Sequence, residues 1–252
     1  MVALRDLVDY TNGHLNSAEF EDYAPNGLQV EGRAEVTQIV SGVTASLALI
    51  EAAVRIGADC VLVHHGYFWK NEDSRITGMK QLRIKQLLAH DISLMAYHLP
   101  LDAHPQLGNN VQLASRLGFT AHGKFGHDGK ATIALRGKLI HPMTAAELSA
   151  HILRQLGRQP LHIAGRTSMI NSIAWCTGAA QEYFDQAVEL GVDAYLTGEV
   201  SEQTTHIARE TGVHFFAAGH HATERYGVQA LGAHLAEKFG VKHQFIDIDN
   251  PV

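Results

Sequence analysis

Residues 59–66 read Asp-Cys-Val-Leu-Val-His-His-Gly. From Cys60 to Val63 the run is apolar without alternation. A strand built from it has no face to give to water and needs cover on both sides. The flanking sequence supplies that cover. A strand at residues 39–43 leads into a helix at 46–56, which Gly57 stops. A helix at 79–90, a strand at 92–97 and a helix at 110–117 follow, the last ended by Gly118. Strands alternating with helices at this spacing predict an α/β fold with a mainly parallel sheet. Ahead of them, Leu4, Leu7 and Val8 have helical spacing. Asn16 or Ser17 suits the cap of a short second helix, and Tyr23-Ala-Pro-Asn-Gly-Leu-Gln-Val30 reads as a turn into a strand.

The order then repeats. Shifted by 134, Ile39, Ala45, Ala53, Val54, Gly57, Asp59 and Leu62 fall on Ile173, Ala179, Ala187, Val188, Gly191, Asp193 and Leu196. Shifted by 122, Ala96, His98, Leu113, Ala114 and Gly118 fall on Ala218, His220, Leu235, Ala236 and Gly240. An extra excursion near residues 67–78 of the first copy accounts for the smaller second shift. The expectation is two pseudo-repeated βα units: a first lobe at 1–118, a small α+β insertion or lid at 119–169, and a second lobe at 170–252, the lobes forming one compact unit. In the middle segment, residues 124–130 read as a loop, 131–135 and 138–140 as short strands, and 161–164 as another. Thr144-Ala-Ala-Glu147 is a capping box opening a helix to about residue 156. The tail from His243 alternates like a last strand.

Composition narrows the function. A net charge of -6 gives no basic face for a broad nucleic-acid footprint. Cys60 and Cys176 both lie in apolar runs and read as buried free thiols of a reducing compartment. Arg5 and Asp6 interrupt the N-terminus too early for a secretory signal, and no apolar run approaches the ~20 residues of a membrane span. The expectation is a soluble cytoplasmic protein. There is no P-loop or dinucleotide fingerprint, and the serines and cysteines lack the base and orienter that covalent catalysis requires.

Histidine is abundant, with 17 in the chain, so position must carry the argument. His64 and His65 end an apolar strand, where parallel α/β sheets build their sites. Adjacent strand residues point to opposite faces, so this pair needs the strand to unwind, which Gly66 permits. Tyr97-His98-Leu-Pro-Leu-Asp102-Ala-His104-Pro105 reads as an irregular loop. Asp102 is there either a ligand or the cap of the next helix, and His98 and His104 are either ligands or orienting groups. After Phe215-Phe-Ala-Ala218 comes Gly219-His220-His221-Ala-Thr-Glu224-Arg225. A helix starting there puts His220 and Glu224 on one face, whereas His221 would pair with Arg225, so His220 is preferred. Imidazoles and carboxylates from three strand ends suit two divalent ions of zinc, iron, manganese, cobalt or nickel. A water shared by two such ions becomes a hydroxide nucleophile near neutral pH, the route to hydrolysis. Glu199, at the repeat position of His65, is a candidate proton carrier or support for a ligand. His206 lies one helical face onward from Glu202 and reads as structural. Tyr67, Phe68 and Trp69 read as packing or subunit contact, with a role in walling the site or stacking on a base as the alternative.

Five stretches carry a resemblance across nearly the whole chain: Asp22-Tyr-Ala-Pro-Asn-Gly-Leu-Gln-Val-Glu-Gly32, Val63-His-His-Gly-Tyr-Phe-Trp-Lys70, His98-Leu-Pro-Leu-Asp-Ala-His-Pro105, Thr197-Gly-Glu-Val-Ser-Glu-Gln203 and Ala218-Gly-His-His-Ala-Thr-Glu-Arg225. Through them the chain resembles the bacterial YbgI-like members of the dinuclear-metal family of GTP cyclohydrolase I type 2 homologues. The resemblance implies an α/β fold, toroidal homohexamers with metal sites facing the interior, and His64, His65, Asp102, His220 and Glu224 as ligands. It implies that His98 is not a direct ligand. GTP cyclohydrolase activity has been assigned to some relatives, and others carry links to transcription partners and DNA-damage resistance. The implied alternatives are a metal-dependent hydrolase acting on a nucleotide-like or cyclic amide substrate, and a non-catalytic metal-binding scaffold or regulator.

Overall fold

The computed structural model describes residues 1–127 and 132–252. Its elements in chain order are β1 (Val2–Ala3), α1 (Leu4–His14), β2 (Gly27–Val30), β3 (Glu35–Val36), β4 (Gln38–Thr44), α2 (Leu47–Ile56), β5 (Cys60–His65), α3 (Gly78–Ala89), β6 (Ser93–Ala96), α4 (Leu99–Ala103) and α5 (Asn109–Leu117). Then come β7 (Phe119–His127), β8 (Thr132–Met143), α6 (Ala145–Leu156), β9 (Leu161–Ile163), β10 (Ile170–Trp175), α7 (Phe184–Glu189), β11 (Ala194–Thr197), α8 (Glu202–Thr211), β12 (His214–Ala217), α9 (His220–Phe239) and β13 (Lys242–Phe245). Short 3-10 turns lie at Ser17–Glu19 and Gln181–Tyr183.

The chain divides into two units, Met1–Leu107 with Gly227–Asp249, and Gly108–Tyr226 with Asn250–Val252. In the first, described strands form a sheet in the order β13-β4-β5-β6-β2, parallel except for the β2 edge. The uninterrupted apolar run of β5 now has its reason. Val61 and Val63 pack with Leu49, Ile50 and Leu87 of α2 and α3. Cys60 and Leu62 pack with Leu4 and Leu7 of α1 and Leu231 and Leu235 of α9. Alternate residues thus meet helices on opposite faces. Burial pushes the Cys60 thiol up to about 12, so it stays protonated.

In the second unit the described order is β7-β8-β10-β11-β12-β9. Only β10, β11 and β12 run parallel; β7, β8 and β9 join antiparallel. Ala174, Tyr195 and Phe215 face Phe184 and Ala187 of α7 and Ala208 of α8. Trp175, Leu196 and Phe216 face Leu113 of α5 and Leu148 and Ile152 of α6.

The repeat is visible in matched bonding. Asp59 accepts the Thr37 N–H and hydroxyl and the Gln38 N–H, at 2.7, 2.6 and 3.0 Å, where β4 begins. Asp193 accepts the Asn171 N–H and the Ser172 N–H and hydroxyl, at 3.0, 2.8 and 2.8 Å, where β10 begins. Each carboxylate ties the start of its own strand to the start of the preceding one.

The boundaries expected at 118 and 169 fall inside the second unit. The middle segment is no separate lid there: β7, β8 and β9 extend the sheet of that unit, and α6 covers it. The mainly parallel expectation holds for the first sheet and fails for the second. Of the loop expected at 124–130, residues up to His127 belong to β7, and residues 128–131 lie outside the described residues. The two short strands expected next are one, β8. The capping box forms as read, with Thr144 and Glu147 bonded reciprocally.

Candidate metal centre

In the first unit, β5 runs through both histidines without the expected unwinding and ends at His65, just before Gly66. A Cβ at Gly66 would collide with the Gln29 carboxamide and Ala96, so only glycine lets the chain turn there. Expected alternation does not separate the two rings: their centroids are 4.6 Å apart. Each is anchored through Nδ1. His64, fully buried, pairs with the Tyr97 carbonyl at 2.9 Å. His65 pairs with the Thr44 hydroxyl on the neighbouring strand at 3.1 Å. A carbonyl only accepts, so Nδ1 of His64 carries the proton and Nε2 is left as the donor atom for a cation. That Nε2 lies 3.5 Å from Oδ1 of Asp102, which is buried.

The segment after Tyr97 is a short helix, α4, rather than an irregular loop. His98 is its N-cap residue and Pro100 sits in the first turn, where a missing N–H costs nothing. Asp102 is inside α4 and does not cap α5, whose N-cap is Gly108. His98 Nδ1 is 2.7 Å from Oδ1 of Asp22, and His64, His65 and His98 each offer one atom within 4.8 Å of the others. Trp69 lies edge-on to His98 with centroids 5.0 Å apart, and 5.9 Å from His65. Of the aromatic run, Trp69 therefore walls this cluster. Tyr67 is buried, its hydroxyl donating to the Ala45 carbonyl at 2.7 Å. Phe68 is held at a φ of 65°, a left-handed backbone costly for a bulky side chain. His104 does not join the cluster. Its Nδ1 accepts the Leu107 N–H at 3.0 Å, and its ring packs 4.8 Å from that of His14.

In the second unit, α9 opens with His220, and Glu224 follows one turn on. His220 Nε2 is 3.1 Å from Oε2 of Glu224, and Nδ1 is 2.6 Å from Oε1 of Glu199. Burial alone would lower the His220 pKa; the Glu224 and Glu199 carboxylates override it and raise it to about 9. The imidazole is thus a cation held between two acids, and the proton on Nε2 sits between a nitrogen and an oxygen that suit a metal. Gly178 fits against this pair. It has a φ of 71°, and a Cβ would overlap Glu224 Oε1 and come within 3.3 Å of His220 Nε2. Thr223 and Thr197 hydroxyls hold the turn, bonding the Gly178 N–H and carbonyl at 3.1 and 3.0 Å. Arg225 donates to the Leu156 carbonyl, and the backbone N–H of His221 to the Val252 carbonyl. Glu202 and His206 pair at 3.1 Å on an exposed face of α8.

The structure thus gathers His64, His65, His98 and Asp102 in one unit, and His220, Glu224 and Glu199 in the other. Sequence reasoning missed Asp22, Asn26, Thr44 and Gly178. The first two lay in the Asp22–Gly32 stretch that carries the resemblance, where neither was given a role, and Asn26 also in the stretch read as a turn into a strand. Thr44 and Gly178 had no local signal, since strand register and a turn bring them to their histidines.

Comparison with known proteins agrees with this assignment of elements. A family model described as Duf34/NIF3 (NGG1p interacting factor 3) matches residues 2–251. A Pseudomonas aeruginosa protein named GTP cyclohydrolase 1 type 2 homolog is 59% identical over 251 residues, 99% of each chain. An Escherichia coli protein of the same name is 54% identical over 248 residues, 98% of each chain. Among solved structures, protein ybgI matches with a TM-score of 0.96 at 52% identity, and TTHA1606 from Thermus thermophilus with 0.88 at 30%; both matches cover 100% of each chain.

Proposed function

The chain belongs to the Duf34/NIF3 family, and from that premise we propose that it holds two divalent cations and hydrolyses a nucleotide-like or cyclic amide substrate. His64, His65 and Asp102 of one unit and His220 and Glu224 of the other are the ligands in this reading. One observation carries it. The ligand imidazoles are tied at Nδ1 by a carbonyl, a hydroxyl and a carboxylate, which leaves Nε2 of each as the metal donor. This is the orienting support that metal-binding histidines require. Nε2 of His64 and of His220 also has a buried carboxylate oxygen beside it. Imidazole with carboxylate suits zinc, iron, manganese, cobalt or nickel.

Bound divalent cations would supply Lewis acidity, making water a nucleophile near neutral pH and polarising the bond it attacks. The chain's own residues do the rest. Glu199 orients His220, and Trp69 limits water on one side of the His65–His98 wall. The name shared by the relatives suggests opening of a purine ring as the reaction. Assembly as a homohexamer belongs to the same reading. A scaffold without turnover is the second reading, and the family's description as an interacting factor favours it.

Elemental analysis of protein purified without chelator tests the centre. Wild type is expected to carry two equivalents of metal, and alanine at any of the five ligands to remove at least one. Substoichiometric metal indifferent to all five substitutions would sink the centre. Incubation of loaded protein with GTP, nucleotides, phosphoesters and cyclic amides then separates the two readings. Turnover absent from an Asp102→Ala, Glu224→Ala double variant supports hydrolysis; no turnover on any of them supports the scaffold.

A further inference from the structure

The ligand set accounts for His64 and His65 and leaves His98 over, although the three rings share one cluster. His98 is 5.0 Å from His64 and 5.8 Å from His65 by ring centroids. Its side chain is 17% exposed, so that unlike His64 it is reachable from solvent. Its far side is built with unusual care. Asp22 meets Nδ1 at 2.7 Å with a side chain only 2% exposed. The same carboxylate accepts the Leu99 N–H at 2.9 Å, the Asn26 amide at 2.8 Å and the Tyr23 N–H at 2.6 Å. Asn26 also accepts the His98 N–H at 2.7 Å, so backbone and ring are both clamped to the turn. Burial would raise the Asp22 pKa, but His98, Asn26 and the Leu99 N–H hold it below the ordinary value, and it is ionised at neutral pH. An ionised carboxylate accepts and cannot donate. Nδ1 of His98 therefore carries its proton toward Asp22, and Nε2 is presented to the cluster.

We propose that His98 is a fixed hydrogen-bond acceptor of the centre, taking an N–H or O–H of substrate or water at Nε2, and that Asp22 is the positioning residue that sets its tautomer. This rests on the metal-centre reading for its purpose, but its geometry lies within the first unit. Trp69, edge-on to the ring, restricts its rotation. An acceptor beside the ligands selects substrates that present a polar hydrogen next to the bond being cleaved, as cyclic amides with a free N–H do. A donor at the same place would select carbonyl oxygens instead.

Nitrogen-15 NMR of histidine-labelled full-length protein tests this with a readout independent of turnover. In cation-free wild type, His98 is expected to show a protonated Nδ1 and an unprotonated Nε2. Asp22→Ala should release it to a mixture of tautomers, and Asp22→Asn, which keeps an acceptor oxygen, should restore the wild-type signature. On addition of two equivalents of zinc, Nε2 of His98 should keep its unprotonated, hydrogen-bonded position while those of His64, His65 and His220 take metal-bound shifts. A protonated Nε2 in wild type, an unchanged tautomer in Asp22→Ala, or a metal-bound shift at His98 would each overturn the proposal. If zinc moves none of the four rings, the metal-centre reading fails by itself, because the tautomer is read before any cation is added. The His98 tautomer would then stand as a structural feature, and its role at a centre would fall.

Discussion

Gly178 shows how a residue with no chemistry of its own can govern a site. Its left-handed backbone suits glycine, and the missing Cβ leaves room for the Glu224 carboxylate. Gly178→Ala is expected to weaken zinc binding by about tenfold or more, the range for lost ligand support. Gly157 is the control. It has a φ of 73° with nothing within 4 Å of a Cβ. Both alanines should cost about 1 kcal/mol through left-handed strain. Only the first should change affinity, and equal zinc titrations for the two would show that Glu224 does not need the space.

At the scale of elements, an acid within each βα unit ties the starts of two neighbouring strands. Burial would raise the Asp59 pKa, but the Thr37 and Gln38 donors and Arg33 lower it. Asp193 is lowered against burial by the Ser172 and Asn171 N–H groups and the Ser172 hydroxyl. A depressed carboxylate stabilises the fold above its unfolded pKa, and that stabilisation is lost as pH falls through the folded value. Asp59→Asn and Asp193→Asn are each expected to cost about 2 kcal/mol at neutral pH, the scale of a hydrogen bond to a charged group. The difference from wild type should hold down to about pH 4 and shrink below it, as denaturant unfolding at several pH values would show. A gap unchanged at pH 2 would assign the effect to shape rather than charge.

At the scale of the whole molecule, the chain leaves the first unit after Leu107 and re-enters it at Gly227, partway along α9. The residues of α9 before that point carry His220 and Glu224; those after it pack in the core around β5. No helix among the described residues is long and apolar enough to cross a membrane. If donors of both units serve one centre, cations must stabilise both. At a hundred times the dissociation constant the linkage is worth about 2.7 kcal/mol. Hydrogen exchange should therefore slow in β5 and in β11 when zinc is added, and His65→Ala should weaken the protection of β11 as well as of β5. Protection confined to the unit whose ligands are intact would show two separate sites.

Periodicity and local chemistry are properties of neighbouring residues, and these were legible in the sequence alone. The apolar run at β5, the Ser46 and Gly57 helix ends, the Thr144 capping box and the helical pairing of His220 with Glu224 all stand where residue spacing put them. Spacing along a chain says nothing about which strand lies beside which. Only the tertiary structure decided that β7, β8 and β9 complete a sheet rather than form a lid. It also decided that Thr44 meets His65 through strand register, and that Asp22 reaches His98 from 76 residues away. The first anchors the His65 ring and the second places the Nδ1 proton of His98, and both form only when distant segments pack, because no local rule brings an orienting oxygen to a ring.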